Sequence, residues 1–452
     1  MQFSHWMRRR KFRRMIAPAS YRRVTEGRAR EHETRLYALS RHPIRAHMKL
    51  ASRLELIEPS PTLAISARAA ELKAEGKDIV GFGAGEPDFD TPAHIKTAAI
   101  EALQQGFTKY TAVSGIPELK HAIIAKFKRD NNLDFKPNQI IVGTGGKQVL
   151  YNFFLSVINE GDEVVCPAPY WVSYKDIVRL AGGNMKLIHT SFDSGFKLSV
   201  ADIEKNVSDK TKVFILNSPS NPTGATYTPG EIRALAGALE KFPDLIVVTD
   251  DIYEKLAYGV EVLNIATASE KLRPRTVVIN GLSKAYSMTG WRLGYAGGPK
   301  EIIAAMDMIQ GQSTSNPTSF SQKGAVAALN AEQQCVEDMR VVFEKRRDLA
   351  YSLLSGLKGL RVFKPQGAFY LFPDIAGLTA APGWQKLKER TGESDVGKIF
   401  SKGLLDEKLV AVVPGSAFGY ENGFRISYAT SEAQIEKGLF RVREFIEALW
   451  AP

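Results

Sequence analysis

The sequence predicts an α/β fold built around a mainly parallel sheet. Short apolar runs alternate with helical patterns from about residue 95 to residue 344, and glycine or polar residues follow directly after several of these runs. Strands that alternate with helices are typical of βαβ units. The 452 residues are 44% hydrophobic and 24% charged, with a mean hydropathy of −0.17. This composition suits about two or three folded domains, and no apolar run reaches the roughly 18 residues of a membrane-spanning helix.

The excess of positive charge lies in a leader, residues 1–48. The leader holds 13 Arg and Lys residues and three acidic residues, whereas the rest of the chain holds 47 basic and 46 acidic residues. A nearly neutral main body argues against a basic groove for nucleic acid. We predict that residues 1–50 are a disordered extension, or that the true translation start is Met48 and the sequence before it is upstream translation. The alternatives are a transit peptide within residues 1–47, which would place the protein in an organelle matrix instead of the cytoplasm, and an arm that binds nucleic acid or membrane.

The elements of the main body follow in order. A helix is predicted at 64–72 and a strand at 78–82. The candidate strands of the sheet are 139–143, 163–166, 213–217, 245–249 and 276–280. Thr228 and Glu231 form a capping box with Pro229 at the first helical position, which predicts that a helix begins there. A short strand at 410–413 lies in the C-terminal part, and the two cysteines, Cys166 and Cys335, predict neither a disulfide framework nor a zinc site.

The residues after the predicted strands should meet at one edge of the sheet, where open parallel sheets bind ligands. The glycine turn at 143–146 opens an apolar helical pattern. Backbone N–H groups at such a helix start bind phosphate, although an ordinary strand-to-helix turn explains the same pattern. The turn is not a Walker loop, because Ile141 stands where that motif needs glycine.

Four side chains at this edge suggest carbonyl chemistry. A buried amine near other cations becomes a nucleophile, and Lys284 with Arg292 eight residues later fits that description. Asp250 could pair with a pyridinium nitrogen, and the indole of Trp171 could stack on a flat ring. Taken one at a time, each of these residues is more often a surface residue, a helix cap or part of the core.

These motifs together resemble the class I, fold type I, pyridoxal-phosphate-dependent aminotransferases. The resemblance rests on the segments SKAYSMTGWR at 283–292, NPTG at 221–224 and DDIY at 250–253. Further segments are similar to the bacterial aspartate aminotransferase branch: GEPDFDTP at 85–92, GGKQ at 145–148, PYWVSY at 169–174 and RISYATS at 425–431. The resemblance runs from about residue 52 to residue 447. It implies a large domain with a seven-stranded, mainly parallel sheet, and a smaller α/β domain formed by both chain ends.

The resemblance implies a role for each matching residue. Lys284 would form the Schiff base with pyridoxal 5′-phosphate and move the substrate proton, and Asp250 would hold the pyridine nitrogen protonated. Asn221 and Tyr253 would bond the 3′ oxygen of the cofactor. The phosphate would be held by residues from the glycine turn and from the Lys284 segment: Gly145, Gly146, Ser283 and Arg292.

The remaining roles concern the substrate and a second subunit. Tyr110 would reach the phosphate of the partner subunit, which implies a homodimer with shared active sites. Arg425 would grip the α-carboxylate of the substrate, with Gly85, Trp171 and Asn221 beside it. Thr62 and Lys147 are candidates for the side-chain carboxylate, with plain structural roles as the alternative. Lys147 also lies in the turn predicted to bind the cofactor.

We therefore expect an aspartate aminotransferase that exchanges the amino group between L-aspartate and 2-oxoglutarate, with no metal, nucleic-acid or membrane partner. The domain boundaries implied are residues 51–95 with 345–452 for the small domain, and residues 96–344 for the large domain. Alternatives are a prephenate, aromatic or alanine aminotransferase, a pyridoxal-dependent β-lyase, or a DNA-binding regulator built on the same fold. Glu58 stands just before Pro59, where members that use prephenate carry a basic residue, so we do not expect prephenate activity.

Overall fold

The computed structural model describes residues 50–451. The predictions about the leader therefore lie outside the described residues. Within this range, no helix combines the length and the apolar composition that crossing a membrane requires.

The strands are short and fall into three sheets. In chain order they are β1 (Val80–Gly81), β2 (Ile140–Gly143), β3 (Glu163–Ala168), β4 (Asn184–His189), β5 (Thr211–Asn217), β6 (Ile246–Asp250), β7 (Thr276–Gly281), β8 (Gly294–Gly297), β9 (Tyr370–Leu371), β10 (Val410–Ala411), β11 (Val413–Pro414) and β12 (Phe424–Ser427).

The α-helices surround these sheets. They are α1 (Pro61–Ala74), α2 (Ala93–Gln104), α3 (Pro117–Asn131), α4 (Gly146–Val157), α5 (Ser173–Leu180), α6 (Val200–Asn206), α7 (Pro229–Leu239), α8 (Ile265–Ala268), α9 (Lys300–Gly311), α10 (Ser319–Asn330), α11 (Gln334–Leu354), α12 (Trp384–Thr391), α13 (Val396–Lys408) and α14 (Glu432–Trp450).

The central sheet has seven strands in the order β2-β8-β7-β6-β5-β3-β4. Its neighbours are parallel except at β8, which runs antiparallel to both β2 and β7. The predicted α/β class with a mainly parallel seven-stranded sheet is confirmed. The five strands predicted from apolar runs all belong to this sheet, with ends that differ by one or two residues.

Both faces of the central sheet are buried. Val213 and Ile215 of β5 pack in a cluster with the apolar residues of α4, whereas the intervening Phe214 and Leu216 pack with those of α7. The capping box that predicted α7 is present, because the Thr228 hydroxyl accepts from the backbone of Glu231 at 3.3 Å. A sheet covered on both sides leaves its strand ends as the exposed edge for ligands.

The two chain ends meet in a separate core. Phe82 after β1 packs in the same cluster as Phe400 of α13, Phe424 of β12 and Leu439 of α14. The predicted domain boundary at 344/345 lies inside α11, which is continuous from Gln334 to Leu354. Residues on both sides of that boundary pack in this cluster, among them Phe343.

Candidate active site

A cavity of about 380 Å³ opens at the carboxyl ends of the central strands. Asn217 and Asp250 end the neighbouring parallel strands β5 and β6 and are register partners, so their side chains start at the same level. The residues that line the cavity come from these strand ends, from the glycine turn and from both chain ends: Ser60, Thr62, Leu63, Gly85, Gly146, Lys147, Leu150, Trp171, Val172, Ser173, Asn217, Asn221, Asp250, Ile252, Tyr253, Ser283, Lys284, Thr289, Arg292, Tyr370 and Arg425.

Most residues predicted from the sequence meet in this cavity. Those that line it are Thr62, Gly85, Gly146, Lys147, Trp171, Asn221, Asp250, Tyr253, Ser283, Lys284, Arg292 and Arg425. Two of the predicted residues lie elsewhere. Gly145 packs behind the cavity wall against Arg292, and Tyr110 is 91% exposed at the surface.

One end of the cavity is built to receive an anion. Gly145 has a φ of +85°, and a Cβ at this position would lie 2.9 Å from Cζ of Arg292, so only glycine lets the guanidinium approach the turn. Helix α4 begins at Gly146, and the backbone N–H groups of Gly146 and Lys147 have no backbone partner among the described residues. Ser283, at the start of the segment that carries Lys284, lines the same cavity. Positive charge, a hydroxyl group and free N–H groups together suit a phosphate.

Asp250 supplies a buried carboxylate at the end of β6. Its Oδ2 accepts a hydrogen bond of 2.7 Å from the Tyr174 hydroxyl, and its Oδ1 lies 3.4 Å from the backbone nitrogen of Ile252. Burial raises the pKa of Asp250 to about 6, and the Tyr174 hydrogen bond and the charge of Lys284 oppose that rise. The carboxylate is therefore mostly ionised at neutral pH and can bind a protonated nitrogen.

Lys284 lies in the turn after β7 and is partly buried. Its Nζ donates to the backbone carbonyl of Gly85. Burial, together with the charges of Arg425 and Arg292, lowers the pKa of Lys284 to about 8, although the charges of Glu86 and Asp250 oppose this decrease. An amine with a depressed pKa has a larger neutral fraction near pH 7, which is the form that attacks carbonyl carbons and accepts protons.

Arg425 on β12 is a buried cation with only 2% of its surface exposed. Its Nη1 donates to Oδ1 of Asn221 at 2.9 Å, and its Nη2 donates to the carbonyl of Gly83 at 2.8 Å. The Nε has no hydrogen-bond partner among the described residues, and no carboxylate of residues 50–451 lies within 4.0 Å of the guanidinium. Burial lowers the pKa of Arg425. A buried guanidinium held only by neutral oxygens is a receptor for an anion.

Three contacts around these groups were not predicted from the sequence. Tyr370 pairs its hydroxyl with that of Tyr253 at 2.7 Å, and its ring lies 4.5 Å from the guanidinium carbon of Arg425. Asn217 donates to the carbonyl of Asp250 at 2.7 Å and accepts from the backbone of Asn221 at 2.9 Å. The third contact is the Tyr174 hydrogen bond to Asp250. The only signal in the sequence was position, since Asn217 ends a predicted strand and Tyr174 follows Trp171 by three residues.

A threonine and a lysine also form part of the cavity wall. Thr62 lies on α1, and its Oγ1 is buried with no hydrogen-bond partner within residues 50–451. Lys147 lies with its Nζ 5.2 Å from the centre of the Trp171 ring. Burial lowers the pKa of Lys147, and Arg292 lowers it further. This wall can bind a second anionic group.

The cavity as a whole suits a flat ligand with a phosphate at one end and a protonated ring nitrogen at the other. Gly146, Ser283 and Arg292 fit the phosphate, Asp250 fits the nitrogen, and Trp171 offers an aromatic face. Lys284 and Arg425 line the remaining space. An amine base and a carboxylate receptor in one cavity favour chemistry at the carbon that bears the carboxylate.

Known proteins that are similar to this chain are aminotransferases. The sequence profile of the aminotransferase class I and II family matches residues 77–442. A probable aspartate/prephenate aminotransferase of Rhizobium leguminosarum bv. phaseoli is 52% identical over 402 residues, which cover 88% of this chain and 99% of the relative.

Two solved structures are similar in fold and sequence. The crystal structure of an aspartate aminotransferase from Rhizobium meliloti has a TM-score of 0.83 and 44% identity, and the alignment covers 88% of this chain and 99% of that one. An aspartate aminotransferase of Thermus thermophilus with maleate has a TM-score of 0.80 and 40% identity, with the same coverage of both chains.

The glycine turn gives a prediction about anion binding. In Gly294→Ala, the new Cβ would lie 2.6 Å from the carbonyl carbon of Gly145, so the turn must move away from Arg292. We expect the affinity for inorganic phosphate, measured by calorimetry on the full chain, to fall by about tenfold or more, because hydrogen bonds to a charged group are lost. Gly290→Ala is the matched control, since a Cβ at Gly290 meets no atom within 4 Å. Equal affinities in both variants would contradict this assignment.

Proposed function

Because this chain belongs to the class I and II aminotransferases, we propose that it transfers the amino group reversibly between L-aspartate and 2-oxoglutarate. The cofactor of this proposal is pyridoxal 5′-phosphate. The products in the forward direction are oxaloacetate and L-glutamate. The two half-reactions share one cavity, so each substrate leaves as product before the next one binds.

The observation that carries the proposal is the buried guanidinium of Arg425. Burying a cation without a carboxylate partner is costly, and the free energy is recovered when an anion arrives. The planar fork of arginine binds a carboxylate through two hydrogen bonds, which orients the substrate as well as holding it. Both hydrogen bonds that Arg425 makes now go to neutral oxygens, on Asn221 and Gly83, so neither oxygen neutralises its charge.

The residues of the cavity fit the proposed cofactor. Gly145 and Gly146 with Ser283 and Arg292 would hold its phosphate, and Asp250 would hold its ring nitrogen protonated. When bound, the cofactor supplies an electron-withdrawing ring that stabilises negative charge at the substrate α-carbon. Trp171 would cover one face of that ring.

The chain itself supplies the proton transfers and the orientation. The amine of Lys284 would move a proton between the substrate α-carbon and C4′ of the cofactor. Its pKa of about 8 leaves a usable neutral fraction near pH 7. Tyr253 and Asn221 hold the ring substituents in place, and the 2.7 Å pair of Tyr253 with Tyr370 fixes the position of that hydroxyl.

The second carboxylate of aspartate points to the wall formed by Thr62 and Lys147. The maleate of the Thermus thermophilus structure is itself a dicarboxylate, which supports this substrate class. The Rhizobium leguminosarum relative carries prephenate in its name as well as aspartate. Glu58 is exposed just before the segment that lines the cavity, at the position where the resemblance implies a basic residue in members that use prephenate. We therefore propose aspartate as the preferred amino donor and a low rate with prephenate.

We also propose a homodimer in which Tyr110 completes the active site of the partner subunit. A tyrosine that is 91% exposed in the connection between α2 and α3 suits such a contact. The proposed small domain, residues 51–95 with 345–452, would close over the substrate and exclude water.

The thiols of Cys166 and Cys335 are not paired in a disulfide, which suits the reducing conditions of the cytoplasm.

The first test is a panel of half-reactions on the reconstituted full chain, one amino acid at a time, followed by the absorbance of the cofactor. We expect aspartate and glutamate to react fastest, and the coupled assay to yield oxaloacetate and glutamate in equal amounts. Ammonia release without glutamate would instead identify a β-lyase. A rate with prephenate comparable to that with oxaloacetate would overturn the role given to Glu58.

A second prediction concerns Lys284. The variant Lys284→Ala should bind pyridoxal 5′-phosphate but lose turnover by at least about 10³-fold, because the amine that would move the substrate proton is removed. In the wild type, borohydride should add the mass of the cofactor to the peptide that contains Lys284, as mass spectrometry can show. Normal turnover in Lys284→Ala would refute the proposed mechanism.

A third prediction concerns the α-carboxylate. In Arg425→Lys, a single ammonium cannot bond Asn221, Gly83 and a carboxylate together, so we expect kcat/KM for aspartate to fall by about 100-fold. Arg390→Lys is the control, because Arg390 forms an exposed pair with Glu407 on the surface and should stay within about twofold of the wild type. Equal steady-state constants in the two variants would remove Arg425 from the substrate site.

A further inference from the structure

Tyr174 does not line the cavity, but it contacts Asp250, which does. We propose that Tyr174 is a positioning residue that keeps Asp250 ionised and fixes which of its two oxygens faces the cavity. This inference rests on the proposed function, because it concerns the carboxylate that would hold the ring nitrogen of the cofactor.

The geometry of the pair is specific. Tyr174 is on the first turn of α5 and only 1% exposed, and its hydroxyl donates to Oδ2 of Asp250 at 2.7 Å. Among the described residues, no other side chain donates to this carboxylate. The backbone N–H of Ile252 reaches Oδ1 only at 3.4 Å. Oδ2 is therefore committed to the phenol, and Oδ1 is the oxygen left for a ligand in the cavity.

The charges around Asp250 make this donor important. Lys284 faces the carboxylate from the turn after β7, Tyr253 faces it from its own loop, and the thiol of Cys166 lies behind Tyr174. Burial raises the pKa of Asp250, and only Lys284 and the two hydrogen bonds oppose this. Whenever Lys284 loses its charge, Tyr174 is the remaining strong stabiliser of the carboxylate.

A phenol suits this task better than a basic side chain. A lysine or arginine here would neutralise Asp250 and weaken its attraction for a protonated ring nitrogen. Burial, reinforced by the neighbouring Asp250, raises the pKa of Tyr174 well above its ordinary value. The hydroxyl therefore remains a donor across the working range of pH and adds no charge.

The same short segment also places the aromatic wall. Trp171 lines the cavity three residues before Tyr174, and their rings meet edge to face with centres 5.2 Å apart. Tyr174 thus connects the residue that would cover the ring face to the residue that would bind the ring nitrogen. A shift of this phenol would disturb both contacts.

The test measures the affinity of the full chain for pyridoxal 5′-phosphate from pH 5 to pH 9, after the cofactor has been removed and dialysed back. The variants are Tyr174→Phe, Asp250→Asn and the double variant, and Tyr258→Phe serves as the matched control. Tyr258 is equally buried but donates to the backbone carbonyl of Ala368. Tryptophan fluorescence reports binding independently of turnover.

In Tyr174→Phe, Asp250 loses one hydrogen bond. The midpoint of the pH dependence of cofactor affinity should therefore rise by about one to two pH units. At pH 6 the affinity should fall by about fivefold to 50-fold, because the pKa of Asp250 in the wild type is already about 6. The sign follows because the phenol stabilises the ionised form, so without it a higher pH is needed to ionise Asp250. Tyr258→Phe should match the wild type. In the Asp250→Asn background the midpoint should be missing, and Tyr174→Phe should then have no further effect on it.

An isosteric probe covers the case in which Tyr174→Phe does not fold. A difluorotyrosine at position 174 is a stronger donor, so the midpoint should move downward instead. A midpoint that neither substitution moves would overturn the inference while leaving the proposed function intact. A wild-type chain that binds no pyridoxal 5′-phosphate at any pH would overturn both.

Discussion

The removal of water from charged groups at one edge of a parallel sheet is the constraint on which the rest of this structure depends. Arg425 is the extreme case, because its guanidinium is buried between aromatic rings and two neutral oxygens. A cation in such a site attracts anions more strongly than it would in water. The strand that carries Arg425, β12, pairs antiparallel with β9 and β11, and the hydrogen bond to Asn221 joins it to the segment that follows β5 of the central sheet.

The two chain ends complete the site through backbone oxygens. Lys284 donates to the carbonyl of Gly85, and Arg425 donates to that of Gly83, so one short turn contacts both functional cations. That turn is anchored further on, where both Nη atoms of Arg346 donate to the carboxylate of Asp88 at 2.6 and 3.0 Å. The N-terminal segment is therefore tied to α11 and to the cavity at once. This arrangement explains why residues so far apart in the chain act together.

The sequence predicted those parts of the fold that have a local pattern. The buried strands β2, β3, β5, β6 and β7 appear as apolar runs, and the polar residues that follow them meet as expected. The edge strand β4 was missed because Asn184, Lys186 and His189 interrupt its apolar pattern, and β8 was missed because it is four residues long with glycine at both ends. The contacts of Tyr370 and Tyr174 join residues more than 70 positions apart, and no local pattern encodes such pairs.

The balance of charge in the cavity connects the fold to the class of substrate. Among the described residues, the cations that line the cavity are Lys147, Lys284, Arg292 and Arg425, whereas Asp250 is the single carboxylate. These cations repel one another: Arg292 lowers the pKa of Lys147, and Arg292 and Arg425 both lower the pKa of Lys284. A ligand with a phosphate and a substrate with two carboxylates would relieve this repulsion, whereas a neutral or cationic amino-acid side chain would leave it in place. The net positive charge of the residues that line the cavity therefore favours acidic substrates over neutral or cationic ones.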